Sequence, residues 1–217
     1  MKYFYAWGLL FVIPFTIYAY WKSTKEVRKK MIISGIGFGI ISVIISHIFT
    51  GYWSPKYLIN NFHLEDFLYG FLFAGILPAM HNIFRDVKMK KKYDLDVELT
   101  IAYFLIMLII FFLMVYMFKI NYIYALCLTP LIIGILSYMK IQGNLKDILI
   151  TVGCSLFITI IVYNIILLIY PGLTDIHFIA ENVSSIRLLR APLEVWLFAI
   201  CLGVGATYTH EAVFNVD

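Results

Sequence analysis

The class of fold is decided by residues 98–118, which read ELTIAYFLIMLIIFFLMVYMF and contain no Asp, Glu, Lys, Arg or His after Glu98. A helix that crosses the hydrocarbon core of a bilayer needs about 20 consecutive apolar residues. In water, such a segment would expose apolar side chains on every face of the helix. The stretch therefore predicts a transmembrane helix.

The rest of the 217-residue chain has the same character, because 62% of its residues are hydrophobic and 14% are charged. Soluble domains are about 45–50% apolar and about 25% charged. We therefore predict an all-α integral membrane protein with seven transmembrane helices, at 4–21, 31–50, 64–84, 98–118, 121–139, 147–170 and 191–210. Cys127, Cys154 and Cys201 are spread over three of these spans, so we expect no disulfide framework, no metal site and no cofactor.

The basic residues predict the orientation of the spans. Twelve of the 17 Lys and Arg residues lie in the loops 22–30, 85–97 and 140–146. Basic loops stay on the cytoplasmic side of a membrane, so seven alternating spans predict an outer N-terminus in a multi-pass protein of the cell (cytoplasmic) membrane. We interpret these loops as contacts for membrane lipids, and we expect no nucleic-acid partner.

An internal repeat relates the third and seventh spans at an offset of 129 residues, where Glu65 matches Glu194 and His81 matches His210. Ionisable residues are costly in membrane segments, so these matches are more informative than the leucine matches beside them. The pattern predicts a parallel 3+1+3 repeat. The first three-helix unit covers 1–84, a basic loop and linker helix cover 85–118, and the second three-helix unit covers 119–217.

Acidic residues stand at the starts of several predicted helices. Glu65, Asp66 and Glu194 would each stabilise the positive end of a helix dipole, and we expect Glu98 and Asp147 to do nothing more. The repeat gives the first three a second interpretation, because a matched pair of acids at one membrane face could act together on a ligand.

An aromatic residue follows each matched glutamate by four positions, Tyr69 after Glu65 and Phe198 after Glu194. This spacing puts the acid and the ring on one face of a helix. A carboxyl group in an apolar pocket favours its neutral, proton-donating form, and an aromatic ring stabilises a nearby cation. The combination suits acid chemistry on a lipid-soluble hydrocarbon.

Three short stretches carry a family resemblance: WSPKYL at 53–58, HLEDF at 63–67 and APLEVW at 191–196. They resemble the lycopene cyclase domain of the membrane-embedded carotenoid cyclases, whose pattern is a Trp-x-Pro stretch followed by Pro-x-Glu-Glu/Asp at the start of a helix. As a divergent member, this chain has His63 in place of the first proline and Val195 in place of the second acid of the second copy.

The resemblance implies acid-catalysed, non-redox cyclisation of carotenoid end groups, the work of an intramolecular isomerase or lyase on a lipid-soluble carotenoid or polyprenyl substrate. An acid protonates a terminal double bond, an internal alkene attacks the cation, and loss of a proton completes the ring. The catalytic residues implied are Glu65, Asp66 and Glu194. The substrate-binding residues expected are Tyr69, Trp196, Phe198, Trp53, His63 and His47.

Two other classes of function stay open at this stage. Small-solute transporters also use 3+1+3 helices, although they carry polar residues near the membrane midplane, where Asn164 is the clearest example in this chain. A non-catalytic membrane protein without a small ligand is the other alternative. The sequence also leaves a homo-oligomer open.

Overall fold

The computed structural model describes residues 4–48, 63–85, 97–172 and 183–208. In these residues the chain is almost entirely helical, as expected for an all-α protein. The helices are α1 (Phe4–Lys22), α2 (Lys25–Ile48), α3 (Leu64–Arg85), α4 (Val97–Phe112, continued by Leu113–Met117), α5 (Tyr122–Ile141), α6 (Leu145–Ile169) and α7 (Leu193–Thr207).

Five of the described helices, α2 to α6, are long and apolar enough to cross a membrane, and α7 is a shorter apolar helix of 15 residues. Large apolar side chains cover the outside of the bundle: Trp21 is 72% exposed, Met117 71% and Leu168 75%. Water would solvate such a surface poorly, whereas the acyl chains of lipids would solvate it well. The surface therefore fits a membrane protein.

Side-chain caps set the starts of α2 and α5. Helix α2 begins six residues before the predicted span, because the Thr24 side chain accepts a hydrogen bond from the Val27 amide at 3.4 Å and the basic residues that follow are good helix formers. Between α4 and α5 the chain makes a tight turn, in agreement with the two-residue gap between the predicted spans 98–118 and 121–139. Lys119 has a left-handed φ of 56°, and the Asn121 side chain caps α5 by accepting from the Ile123 amide at 3.1 Å.

Two sets of helices pack most closely. Helix α2 lies along α3, and α7 lies between α5 and α6. Glycines permit this approach: a Cβ atom on Gly70 would lie 2.5 Å from the Phe38 carbonyl oxygen, and one on Gly205 would lie 2.6 Å from the Pro130 carbonyl oxygen. Helix α3 also contacts α6 and α7, α1 contacts α6, and α4 lies against α5 and α2.

Helix α3 is not a regular α-helix along its whole length. It contains a π turn at Gly70–Ala74, and Pro78, which follows, has no N–H to donate to the Ala74 carbonyl. A π turn adds a residue to the ladder and rotates the side chains on either side of it relative to each other. The periodicity of the sequence does not predict this change of face.

A small hairpin precedes α7 and adds a short β element to the helical fold. Strand β1 (Arg187–Leu188) pairs antiparallel with β2 (Ala191–Pro192). Leu189 and Arg190 form the turn with φ values of 48° and 66°, the region that two-residue hairpins favour. The indole N–H of Trp196 donates to the Leu188 carbonyl at 2.9 Å, which fixes the hairpin against the start of α7.

Candidate functional site

A cavity of about 350 Å³ lies inside the bundle and reaches the end at which α3 and α7 begin. Each of the seven described helices contributes to its wall, from Val12 on α1 to Leu202 on α7. The wall is mostly apolar and aromatic, and its volume is that of a small-molecule site. Among the described residues, two carboxylic side chains line it, Asp66 and Glu194.

Glu194 is buried, with 2% of its surface exposed. Its Oε1 atom accepts hydrogen bonds from the Ser184 amide at 2.7 Å and from the Tyr124 hydroxyl at 3.4 Å. Its Oε2 atom is also buried and has no hydrogen-bond partner within the part of the chain that the structure describes. One oxygen therefore fixes the side chain, and the other is available to a ligand in the cavity.

Asp66 is 5% exposed and belongs to a polar chain between α2 and α3. Its Oδ2 atom lies 3.0 Å from Nδ1 of His63, and the same nitrogen lies 3.0 Å from Oγ of Ser46. The ring of His47 is 4.3 Å from that of His63, centroid to centroid. Asp66 therefore connects the cavity to the imidazole of His63 at the start of α3.

Glu65 occupies a different position from the one that the repeat predicts. It is buried, with 2% exposed, but it is not among the residues that line the cavity. Successive residues on a helix point about 100° apart. Glu65 and Asp66 therefore cannot both point directly into the same cavity. In α3 the acid that lines the cavity is Asp66.

The aromatic wall includes two of the predicted residues, Tyr69 and Phe198. The sequence did not mark the other aromatic lining residues, which include Phe111 on α4 and Tyr163 on α6. Their apolar segments gave no signal that distinguished them from lipid-facing aromatics.

The other predicted binding residues lie elsewhere. Trp196 packs beside Tyr163 at 6.5 Å between ring centroids and does not line the cavity. Neither His63 nor His47 lines the cavity. His63 contacts Asp66, and His47 is exposed. Trp53 lies outside the described residues, as does His210 of the predicted repeat.

A second polar cluster closes the opposite end of the bundle. Asp147 forms an ion pair with Arg85 and accepts a hydrogen bond from the Tyr208 hydroxyl at 2.8 Å. The expectation that Asp147 only caps a helix is therefore wrong, because it joins α3, α6 and the end of α7. Nearby, the buried Lys30 donates to Oδ1 of Asn82 at 3.4 Å and joins α2 to α3.

No protein-family model, no curated protein and no solved structure matches this chain. Within the described residues, no group of three or more His, Cys, Asp or Glu side chains could hold a metal ion.

Proposed function

We propose that this chain is a seven-span membrane protein that catalyses the acid-dependent, non-redox cyclisation of a carotenoid-like polyene. One observation carries the proposal: the carboxyl groups of Asp66 and Glu194 reach a single apolar, aromatic-walled cavity from two different helices. An apolar cavity of this kind can bind a hydrocarbon. The carboxyl groups of Asp66 and Glu194 are the reactive groups that the bound hydrocarbon would meet.

The geometry also supports the parallel 3+1+3 arrangement. Helices α3 and α7 both begin at the carboxylate end of the cavity, as expected for two units with the same direction. Arg85 and Asp147 meet at the other end, where the described basic loops 22–30 and 140–146 also lie. In the proposed orientation the carboxylates lie towards the outer face of the cell membrane, and the basic end is cytoplasmic.

In the proposed reaction, Glu194 donates the proton on Oε2 to a terminal double bond of the substrate, forming a C–H bond and leaving a tertiary carbocation. The π electrons of an internal double bond attack this cation, forming the C–C bond of the ring and a second cation. Asp66 then removes a proton from an adjacent carbon, and that C–H electron pair becomes the new double bond. One proton enters and one leaves, so the product is an isomer of the substrate.

The surroundings suit the intermediates of this reaction. The rings of Tyr69, Phe198 and Phe111 form part of the wall, and the face of an aromatic ring attracts a cation. The apolar lining excludes water, which would otherwise capture the carbocation. His63, 3.0 Å from Asp66, can accept the proton that Asp66 removes, and proton return to Glu194 completes the cycle.

The test is expression of the chain in a bacterium that accumulates lycopene, with chromatography of the pigments. We expect ring-bearing carotenes from the native chain and a loss of about a hundredfold or more with Glu194→Gln, because removal of a positioned proton donor costs that much. Glu98→Gln is the matched control, since Glu98 is an exposed acid at the start of α4. Unchanged lycopene in cells that insert the native chain well would overturn the proposal.

A further inference from the structure

A second apolar space lies directly beyond the cavity, in a groove between α1, α3 and α6 of about 620 Å³. Its lining includes Pro14, Met80, Gly153 and Phe157. Phe157 is 57% exposed, so the groove opens sideways towards the surface that we assign to lipid. Nothing in the proposed chemistry requires this groove.

The groove continues the cavity along the same helices. On α6 the cavity is lined from Ile166 to Ile158 and the groove from Ile158 to Leu149, so Ile158 belongs to both. On α3 the cavity ends at Ala74 and the groove begins at Ile76.

The cavity and the groove lie end to end along α6, and only the cavity end carries carboxyl groups among the described lining residues. Leu149 and Ile166 are about 26 Å apart along α6 at 1.5 Å per residue, close to the hydrocarbon thickness of a bilayer, which is about 30 Å. The carboxyl groups of Asp66 and Glu194 lie at the cavity end, and the groove has no ionisable lining residue among those described apart from Tyr18 and Cys154. The shape and polarity fit an extended apolar chain with its reactive end beside the acids.

We infer that the groove binds the distal isoprenoid chain of the same substrate molecule whose end group occupies the cavity. This inference rests on the proposed function, and it adds a direction and a length requirement. The reacting end lies at the carboxylate end, and the remainder of the chain passes Ile158 and extends towards the Arg85–Asp147 end. Long isoprenoids should therefore bind more tightly than short ones, because only a long chain reaches the groove.

Gly153 offers a clean way to block the groove. A Cβ atom on Gly153 would have no heavy atom within 4 Å, so a side chain can begin there without a clash at its first carbon. Gly153→Trp should fill the space and leave the carboxylate cavity intact. Ile109→Trp is the matched control, since Ile109 is 56% exposed on α4 and lines neither space.

The measurement is native mass spectrometry of the full chain released from detergent, with the isoprenoid alcohols geraniol and solanesol as short and long probes. We expect the native chain to bind solanesol more tightly than geraniol. Gly153→Trp should weaken solanesol binding at least about tenfold, through lost burial of apolar carbons, and leave geraniol binding within about twofold. Ile109→Trp should bind both probes like the native chain.

Equal losses for the two probes, or no loss for either, would overturn the inference. If Gly153→Trp displaces co-purified phospholipid but leaves solanesol binding unchanged, the groove is a lipid site and the inference also fails. Glu194→Gln separates this test from the proposed function, because it should abolish ring formation and keep the length-dependent binding. If the native chain binds solanesol through the groove but does not cyclise lycopene, the proposed cyclisation is wrong and the inference about the groove stands.

Discussion

At the scale of single residues, the acids at the helix starts were the informative signal, and their surroundings decide what each can do. The repeat predicted Glu65 as the partner of Glu194, with Asp66 beside it, whereas Asp66 and Glu194 are the acids that line the cavity. The repeat favoured Glu65, but adjacent residues point about 100° apart on a helix, and the packing of α3 decides which of the two faces the cavity. Phe111 and Tyr163 were missed because an aromatic in a uniformly apolar segment has no polar partner to mark its inner side.

The assignment of Asp66 rather than Glu65 as the proton acceptor can be tested by isosteric substitution. Asp66→Asn should lower the rate of ring formation about a hundredfold, because an amide cannot take the proton. Glu65→Gln should leave most of the rate, since Glu65 does not line the cavity. Initial rates of product formation in isolated membranes, normalised to the amount of inserted protein, are the measurement. The opposite order of effects would reassign the acceptor to Glu65.

At the scale of helices, hydrophobicity predicted long apolar helices, and five of the described helices are long and apolar enough to cross a membrane. The turn at Phe118–Asn121 follows from short-range chemistry, because Lys119 and Asn121 interrupt the apolar run and Asn121 caps α5. The π turn at Gly70–Ala74 and the hairpin before α7 do not, because the first depends on Pro78 and packing, and the second uses Leu189 and Arg190 where Asn-Gly would be typical.

Substitution of glycine by alanine should change the stability of the fold in opposite directions at Gly70 and at Gly153. At Gly70 a methyl group would lie 2.5 Å from a backbone oxygen of α2, so Gly70→Ala should destabilise the fold by about 1–3 kcal/mol. At Gly153 the methyl group meets open space inside a helix, so Gly153→Ala should stabilise the fold by about 0.5–1 kcal/mol. Unfolding midpoints in a denaturing detergent titration compare the two variants with the native chain, and shifts of the same sign would contradict the packing described.

At the scale of the whole molecule, composition predicted a helical membrane protein, whereas the cavity could not be predicted. Its wall takes side chains from every described helix, and no local pattern encodes how seven helices converge. The polar cluster at the opposite end is a similar case. Arg85, Asp147 and Tyr208 are far apart in sequence and meet because α3, α6 and α7 pack together.

The proposed orientation predicts which turns face the cell exterior. In a variant without cysteines, Lys119→Cys and Leu188→Cys should react with a membrane-impermeant maleimide added to intact cells, because both positions belong to the carboxylate end. Lys25→Cys and Lys146→Cys, at the basic end, should react only after the cells are permeabilised. Gel shifts of the labelled protein give the result. The reverse pattern would invert the orientation, and mixed labelling at one end would contradict the parallel arrangement.

The turn between α4 and α5 has a consequence for how the two halves of the molecule recognise each other. It spans just Phe118 to Asn121, while α4 also packs against α2, and α3 contacts both α6 and α7. If the gene were divided at this turn, the two translated pieces would carry complementary surfaces that already match within the lipid. Assembly of the two separate polypeptides would then depend on contacts between their helices in the bilayer. The peptide bond at the turn would serve mainly to ensure that both pieces are synthesised in a one-to-one ratio.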